Sequence, residues 1–284
     1  MFEHYKEKVA LLIKVIPLVA EEECFALHGG TAINLFVRDL PRLSVDIDLT
    51  YLPIEDRSTT LDNISSALIS IKNRIEQTLP NVRVQHKEAI GKLLISSQKA
   101  EIKVEVNLVG RGTISRPVKM VLCDKAQDDF EAFVEMPVVP LAQLYGGKIC
   151  AALDRQHPRD LFDVKHLLNN EGFTDDIRHG FLFCLLASDR PINEVITPNV
   201  EDHRKAMENQ FTGMSEEEFL YEDFEATREL LLKVIHENLT DKDKEFLLSV
   251  KNVTPDWGIY NFEHFPAVQW KLLNLQKLKT NNPE

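Results

Sequence analysis

The residues best suited to chemistry lie early in the chain. They are His28-Gly29-Gly30-Thr31-Ala32-Ile33-Asn34-Leu35-Phe36, followed by Arg42-Leu43-Ser44-Val45-Asp46-Ile47-Asp48-Leu49. A diglycine and a hydroxyl precede a short helix-forming run, and two aspartates one residue apart stand in an apolar strand-forming run. Glycine lets backbone approach a phosphate closely, and a following helix offers free N–H groups and a positive dipole end. The Thr31 hydroxyl is suited to a β- or γ-phosphate oxygen. On a strand, residues i and i+2 point to one side, so Asp46 and Asp48 face one pocket. Magnesium (or manganese) takes oxygen ligands, and one or two carboxylates plus substrate phosphates suit it. Together Gly29, Gly30, Thr31, Asp46 and Asp48 point to chemistry on a nucleoside triphosphate.

Glu105 is the natural third acid, on the polar face of a strictly alternating run from Ile102 to Val109. Three carboxylates from two neighbouring strands would hold two metal ions, which activate an attacking hydroxyl and stabilise a leaving pyrophosphate. The plainer alternative pairs Glu105 with Lys103 or with a lysine of a neighbouring strand. A second cluster runs from Leu141 to Val164 and contains Lys148, Arg155, Arg159, Asp160 and Asp163. Lys148 and Arg155 are seven apart and share a helix face; Asp160 and Asp163 share one on the next helix. The two cations would neutralise a triphosphate, Arg155 by a planar bidentate contact. The alternative is a salt-bridge network of Arg155 or Arg159 with Asp160 or Asp163. His28, His157 and His166 are available acid–base groups that nothing marks out. GxSxG, HExxH and Walker motifs are absent, and Gly146-Gly147-Lys148 lacks the remainder of a Walker loop.

Hydrophobic spacing supplies the elements that must position these groups. A helix is expected over 3–23, a strand over 24–27, a helix over 31–37 and a strand over 45–51. A long helix should follow Ser58-Thr59-Thr60 and end near Leu79, before Pro80. Three β-rich runs come next, Val82–His86, Leu93–Ser97 and Ile102–Val109. Asp124 to Asp129 reads as a polar break. Beyond it the pattern is helical, over about 140–154, 160–169, 174–187, 200–210, 222–239, 241–251 and 265–278. Strands first and helices second imply an α+β domain at 1–125 and a mostly helical one at 126–284.

The chain has 284 residues, 44% of them hydrophobic, enough for a substantial core. Its net charge of −12 argues against a protein that coats nucleic acid by charge alone. An RNA acceptor would need a local basic stretch, with Lys87, Lys92, Arg111, Arg116 and Lys119 as the candidates. Cys24, Cys123, Cys150 and Cys184 are widely spaced and make no zinc pattern. No basic start with an apolar run marks a signal peptide, and no apolar run is long enough for a membrane span. A soluble protein of a reducing cytoplasm, with no membrane partner, is the expectation.

Taken together, these motifs resemble a known family. Gly29-Gly30-Thr31-Ala32 … Arg42-x-Ser44-x-Asp46-x-Asp48 resembles the opening motif of the AbiEii/AbiGii nucleotidyltransferase-like toxins, of the DNA polymerase β-type superfamily. Lys103-Val104-Glu105-Val106-Asn107 resembles that family's third-carboxylate strand. Lys148 … Ala152-x-x-Arg155 … Arg159-Asp160-x-x-Asp163 resembles its downstream motifs, and the tail from Leu239 to Leu272 is similar as well. The resemblance implies a small mixed-sheet nucleotidyltransferase domain followed by a helical domain. It implies magnesium on Asp46, Asp48 and Glu105, and a triphosphate handled by Gly30, Thr31 and Lys148. It also implies transfer of a nucleoside monophosphate from an NTP to an acceptor, with an RNA, transfer RNA foremost, as that acceptor and a cognate antitoxin as a partner. Thr31 stands where many members carry serine and keeps the hydroxyl. Two other functions stay open at this level. One is nucleotidyl transfer to an aminoglycoside or a protein; the other is an inactive fold that binds nucleotide or a partner.

Overall fold

The structure, a computed structural model, describes residues 1–281. It has two compact units, Met1–Pro140 with Glu208–Glu218, and Leu141–Met207 with Phe219–Glu284. The first contains a seven-stranded mixed sheet and the second is helical, so the molecule is α+β in the order expected.

In the first unit α1 (Glu3–Ala20) buries Val9, Leu12, Ile16 and Val19, a stripe at helical spacing. β1 (Phe25–His28) leads into α2 (Gly29–Ala32), which continues as a turn of π-helix over Ile33–Val37. The wider winding is closed by Arg38 N–H donating to the Ile33 carbonyl, five residues back. β2 (Asp46–Tyr51) carries both aspartates. α3 (Arg57–Thr78) follows, capped by Asp56, whose carboxylate accepts from the Thr59 N–H at 3.0 Å. The cap therefore falls before Ser58, at an aspartate that stands one residue ahead of the first helical position.

β3 (Arg83–Lys87), β4 (Lys92–Ser96) and β5 (Glu101–Arg111) form an antiparallel meander. β6 (Val118–Val121), α4 (Asp124–Phe130) and β7 (Glu135–Val138) complete the unit. The strand order is β3-β4-β5-β2-β1-β7-β6. β2 lies at the centre, antiparallel to β1 and parallel to β5. A parallel pair needs a long crossover, and α3 with the β3–β4 hairpin supplies it.

The division between the units falls at Pro140/Leu141, later than the 125/126 read from sequence. The cause is β7, which pairs parallel with β1 through Leu27 and Val138 and so ties residues 135–138 to the sheet. Pro137, lacking an N–H, disguises this strand, and β6 is a short, exposed edge strand. The first unit also recaptures Glu208–Glu218. Leu43 N–H donates to the Met214 carbonyl at 2.7 Å, Phe2 N–H to the Gly213 carbonyl at 2.8 Å, and the Ser215 hydroxyl to the Pro41 carbonyl at 2.9 Å.

The second unit is built on α5 (Leu141–Arg155), α6 (Pro158–Asn170) and α7 (Asp175–Ala187). α8 (Ile192–Ile196), α9 (Arg204–Gln210), α10 (Tyr221–Asn238), α11 (Asp241–Lys251) and α12 (Pro266–Asn281) follow. α5 and α7 cross at glycines: a Cβ on Gly146 would strike the Gly180 backbone, and one on Gly180 the Ala142 carbonyl. Gly146 thus serves a helix crossing. α6 starts where Pro158 can occupy its first turn and His157 Nδ1 accepts from the Arg159 N–H at 3.1 Å. At the other end of the unit, buried Asp243 caps α11 through Thr240, pairs with Arg178 at 2.5 Å, and accepts from the Tyr260 hydroxyl.

Candidate active site

Asp46 and Asp48 stand on the same face of β2, with Ile47 and Leu49 buried on the other. The diglycine is fitted to them. Gly29 has a φ of +73°, a conformation glycine adopts freely, and a Cβ there would collide with the Asp48 carboxylate. A Cβ on Gly30 would lie 2.9 Å from Arg42 Nη2 and 3.0 Å from Ser44 Oγ. Both glycines are therefore places where backbone and a functional side chain meet closely. His28 sits opposite Asp48 in the β1–β2 register, its Nδ1 3.1 Å from the Thr50 hydroxyl.

Thr31 is packed into the fold. It is 0% exposed, and its hydroxyl donates to the Asp46 carbonyl at 2.5 Å with Ser44 Oγ at 3.0 Å. The side chain that sequence directs at a phosphate instead fastens the helix start to the aspartate strand. Three neighbours that sequence reading used only as parts of a motif complete this support. Arg42 is 2% exposed and donates to the Leu43 carbonyl; Ser44 is buried; Asn34 Nδ2 donates to the Gly30 carbonyl at 2.9 Å. The available signal was a cation and a hydroxyl inside the apolar stretch Leu40–Val45.

Glu105 is the register partner of Asp48 across the parallel β2–β5 pair, and Lys103 is the partner of Asp46. Glu105 itself is bound by Lys92 of β4 at 2.5 Å, while Lys103 Nζ is 3.9 Å from Asp46 Oδ1. Among the described residues no three His, Cys, Asp or Glu side chains converge on one cation position. The donor set nonetheless fits a hard cation: two partly open carboxylates on one face, a third one strand away, and glycine backbone against one of them.

In the second unit Lys148, Arg155, Asp160 and Asp163 are brought together. Lys148 Nζ lies 2.8 Å from Asp160 Oδ1 and 2.9 Å from Asp163 Oδ2. Arg155 donates from Nε to Asp160 Oδ2 at 2.6 Å and from Nη2 to Oδ1 at 3.1 Å. Lys148 is 6% exposed, and two of its three donors face carboxylates. Burial alone would raise the Asp160 carboxyl, but the Lys148 and Arg155 charges outweigh it and hold it well below the usual carboxylate range.

Of the basic residues named for an RNA acceptor, four are dispersed or engaged within the fold. Lys87 and Lys119 lie on β3 and β6, opposite edges of the sheet. Lys92 is paired with Glu105 and Lys119 with Glu135. Arg111 is buried, with Nε and Nη1 lacking hydrogen-bond partners. Nor is there an activated thiol: burial pushes Cys24 and Cys123 up to about 11 and Cys184 to about 12.

A diglycine turn set against a DxD strand in a mixed sheet, followed by a helical unit, defines a nucleotidyltransferase. The sequence profile of the family described as "Nucleotidyl transferase AbiEii toxin, Type IV TA system" matches residues 10–273, and the chain belongs to that family. Among solved structures the chain is similar to MenT4, nucleotidyltransferase toxin Rv2826c from Mycobacterium tuberculosis H37Rv. The TM-score is 0.66 at 14% identity, over 96% of this chain and 93% of that one. No curated protein matches in sequence. No helix among the described residues is long and apolar enough to cross a membrane.

Proposed function

We propose that this nucleotidyltransferase toxin transfers a nucleoside monophosphate from an NTP to an RNA acceptor, transfer RNA foremost, with magnesium as its metal. The observation that carries the reading is the close approach of Gly29 to Asp48, with Asp46 on the same strand face and Glu105 in register beside Asp48. The two aspartates, joined by Glu105, would hold the divalent ion. When bound, it would activate the attacking hydroxyl and neutralise charge on the departing pyrophosphate. Gly29 fixes where the Asp48 carboxylate can sit. Thr31 fixes the Asp46 backbone. The Gly29–Gly30 backbone takes phosphate oxygens at a distance no other residue type allows. Lys148 and Arg155, the phosphate partners that the family resemblance implies, are both held by Asp160 within the second unit. Membership of a toxin–antitoxin family supports a cognate antitoxin as partner.

The test incubates the pure protein with magnesium, each α-labelled NTP in turn, and total transfer RNA, beside an Asp46→Ala, Asp48→Ala variant. An aminoglycoside and a protein mixture serve as parallel acceptors. Label on RNA with wild type alone supports the reading and identifies the nucleotide. Label on another acceptor, or equal label with the double variant, overturns it.

A further inference from the structure

The second unit contains a pocket of about 260 Å³ that none of the residues assigned above lines. Its wall comes from the turn joining α7 to α8, from Lys251 at the end of α11, and from one face of α12. Pro191, Ile192 and Leu275 make it largely apolar, and Trp270, 49% exposed, offers an indole ring at its edge.

Within this apolar setting lies a buried cation. Lys271 is 7% exposed, and its ammonium donates to the Arg190 carbonyl at 2.6 Å. An ammonium carries three donors, and one carbonyl is thin compensation for removing a charge from water. The consequence is visible in its titration, which burial pulls down to about 8. Lys251 and Asp189 also line the pocket, and so does Arg190, whose guanidinium is paired with Asp154 at 2.7 Å and lies 3.7 Å from Glu194. The buried Lys271 ammonium thus lies in a pocket that also offers an aromatic ring.

We propose that this pocket binds one nucleotide unit, a nucleobase stacked on Trp270 with its phosphate paired to Lys271. The chemistry selects this class. An inorganic anion would leave the indole and the aliphatic wall unused. A neutral apolar ligand or a cation would leave the buried Lys271 ammonium without a counter-charge. A nucleotide satisfies the ring and the ammonium together, and the side-chain amides of Asn193 and Asn274 can pair with a base edge. The volume accommodates one such unit and no more. A free nucleotide and the unstacked end of an RNA strand present the same chemistry.

The test uses the full-length chain without metal, as wild type and as the Asp46→Ala, Asp48→Ala variant, so that its outcome is independent of nucleotidyl transfer. Each nucleoside 5′-monophosphate is titrated by calorimetry and by tryptophan fluorescence, beside inorganic phosphate and a 5′-phosphorylated trinucleotide. The expected result is saturable binding of a monophosphate by both proteins, weakened at least about tenfold by Trp270→Ala and by Lys271→Met. Tighter binding of the trinucleotide assigns the pocket to an RNA end, and equal or weaker binding to a free nucleotide. Trp270 is half exposed, so Trp270→Ala remains decisive if the lysine variant fails to fold. No saturable binding, equal binding of inorganic phosphate, or binding unaffected by Trp270→Ala overturns the proposal.

Discussion

Gly29 lies against Asp48 so closely that any side chain at position 29 must displace it: a Cβ would overlap the Asp48 carboxylate, and the backbone there already has φ +73°. The two constraints act at different levels. The positive φ costs an L-residue roughly 1–2 kcal/mol of stability, which a domain of this size tolerates. Displacement of Asp48 acts on the chemistry, where misplacement by an ångström is severe. Gly29→Ala should therefore fold, with a modestly lowered denaturation midpoint, yet lose at least about tenfold in nucleotidyl transfer. Full activity in a folded Gly29→Ala protein would remove Asp48 from the reacting centre.

The placement of Thr31 separates two roles by kinetics. Its buried hydroxyl donates to the Asp46 carbonyl. Thr31→Val should leave that carbonyl unsatisfied, cost about 1–3 kcal/mol, and lower kcat with little change in KM for the NTP. Thr31→Ser should restore both, since it keeps the hydroxyl. A Thr31→Val protein with normal kcat and a raised KM would return the hydroxyl to the phosphate.

What sequence could reveal follows from which interactions are local. The alternation of Ile102, Val104 and Val106 placed β5, and the apolar flanks of Asp46 and Asp48 placed β2, because strand burial has a period of two. The proximity of diglycine and DxD was legible for the same reason: only one short helix separates them. The direction of the Thr31 hydroxyl was not legible, because it depends on whether the helix start faces solvent or packs on β2. β7 escaped because Pro137 argues against a strand, and only tertiary pairing with β1 overrides that. The return of Glu208–Glu218 onto Pro41 and Leu43 spans some 170 residues and leaves no local pattern. The burial of Lys148 between Asp160 and Asp163 was not legible, because it is a property of helix packing, not of spacing.

The Lys148–Asp160 pair makes stability depend on acid. Asp160 is held below its ordinary range in the folded state, so the unfolded chain takes up its proton first as pH falls. The contribution is therefore complete above the unfolded value of about 4 and declines as pH drops below it. Asp160→Asn should cost about 3 kcal/mol near neutral pH, somewhat relieved because Asp163 still holds Lys148. The gap from wild type, measured by urea unfolding, should narrow at about pH 3. A gap independent of pH would mean that Asp160 contributes packing and not charge.

Glu105 has two claims on it. It is the register partner of Asp48, and its carboxylate is also bound by Lys92 at 2.5 Å. If pairing with Lys92 were its whole purpose, the pair would matter little: both side chains are partly exposed, and such bridges contribute about 0–1 kcal/mol. Glu105→Gln and Lys92→Met would then behave alike, each nearly silent. If Glu105 joins Asp46 and Asp48 on a cation, the two variants diverge. Glu105→Gln removes a ligand and should raise the metal concentration for half-maximal activity by about tenfold, at unchanged stability. Lys92→Met removes a competitor for the carboxylate and should lower that concentration. Opposite shifts of the metal dependence, larger for Glu105→Gln than a charge change alone would give and reduced at high salt only in part, are the result expected if Glu105 leaves Lys92 to take the metal ion; a silent Glu105→Gln would leave it to the salt bridge.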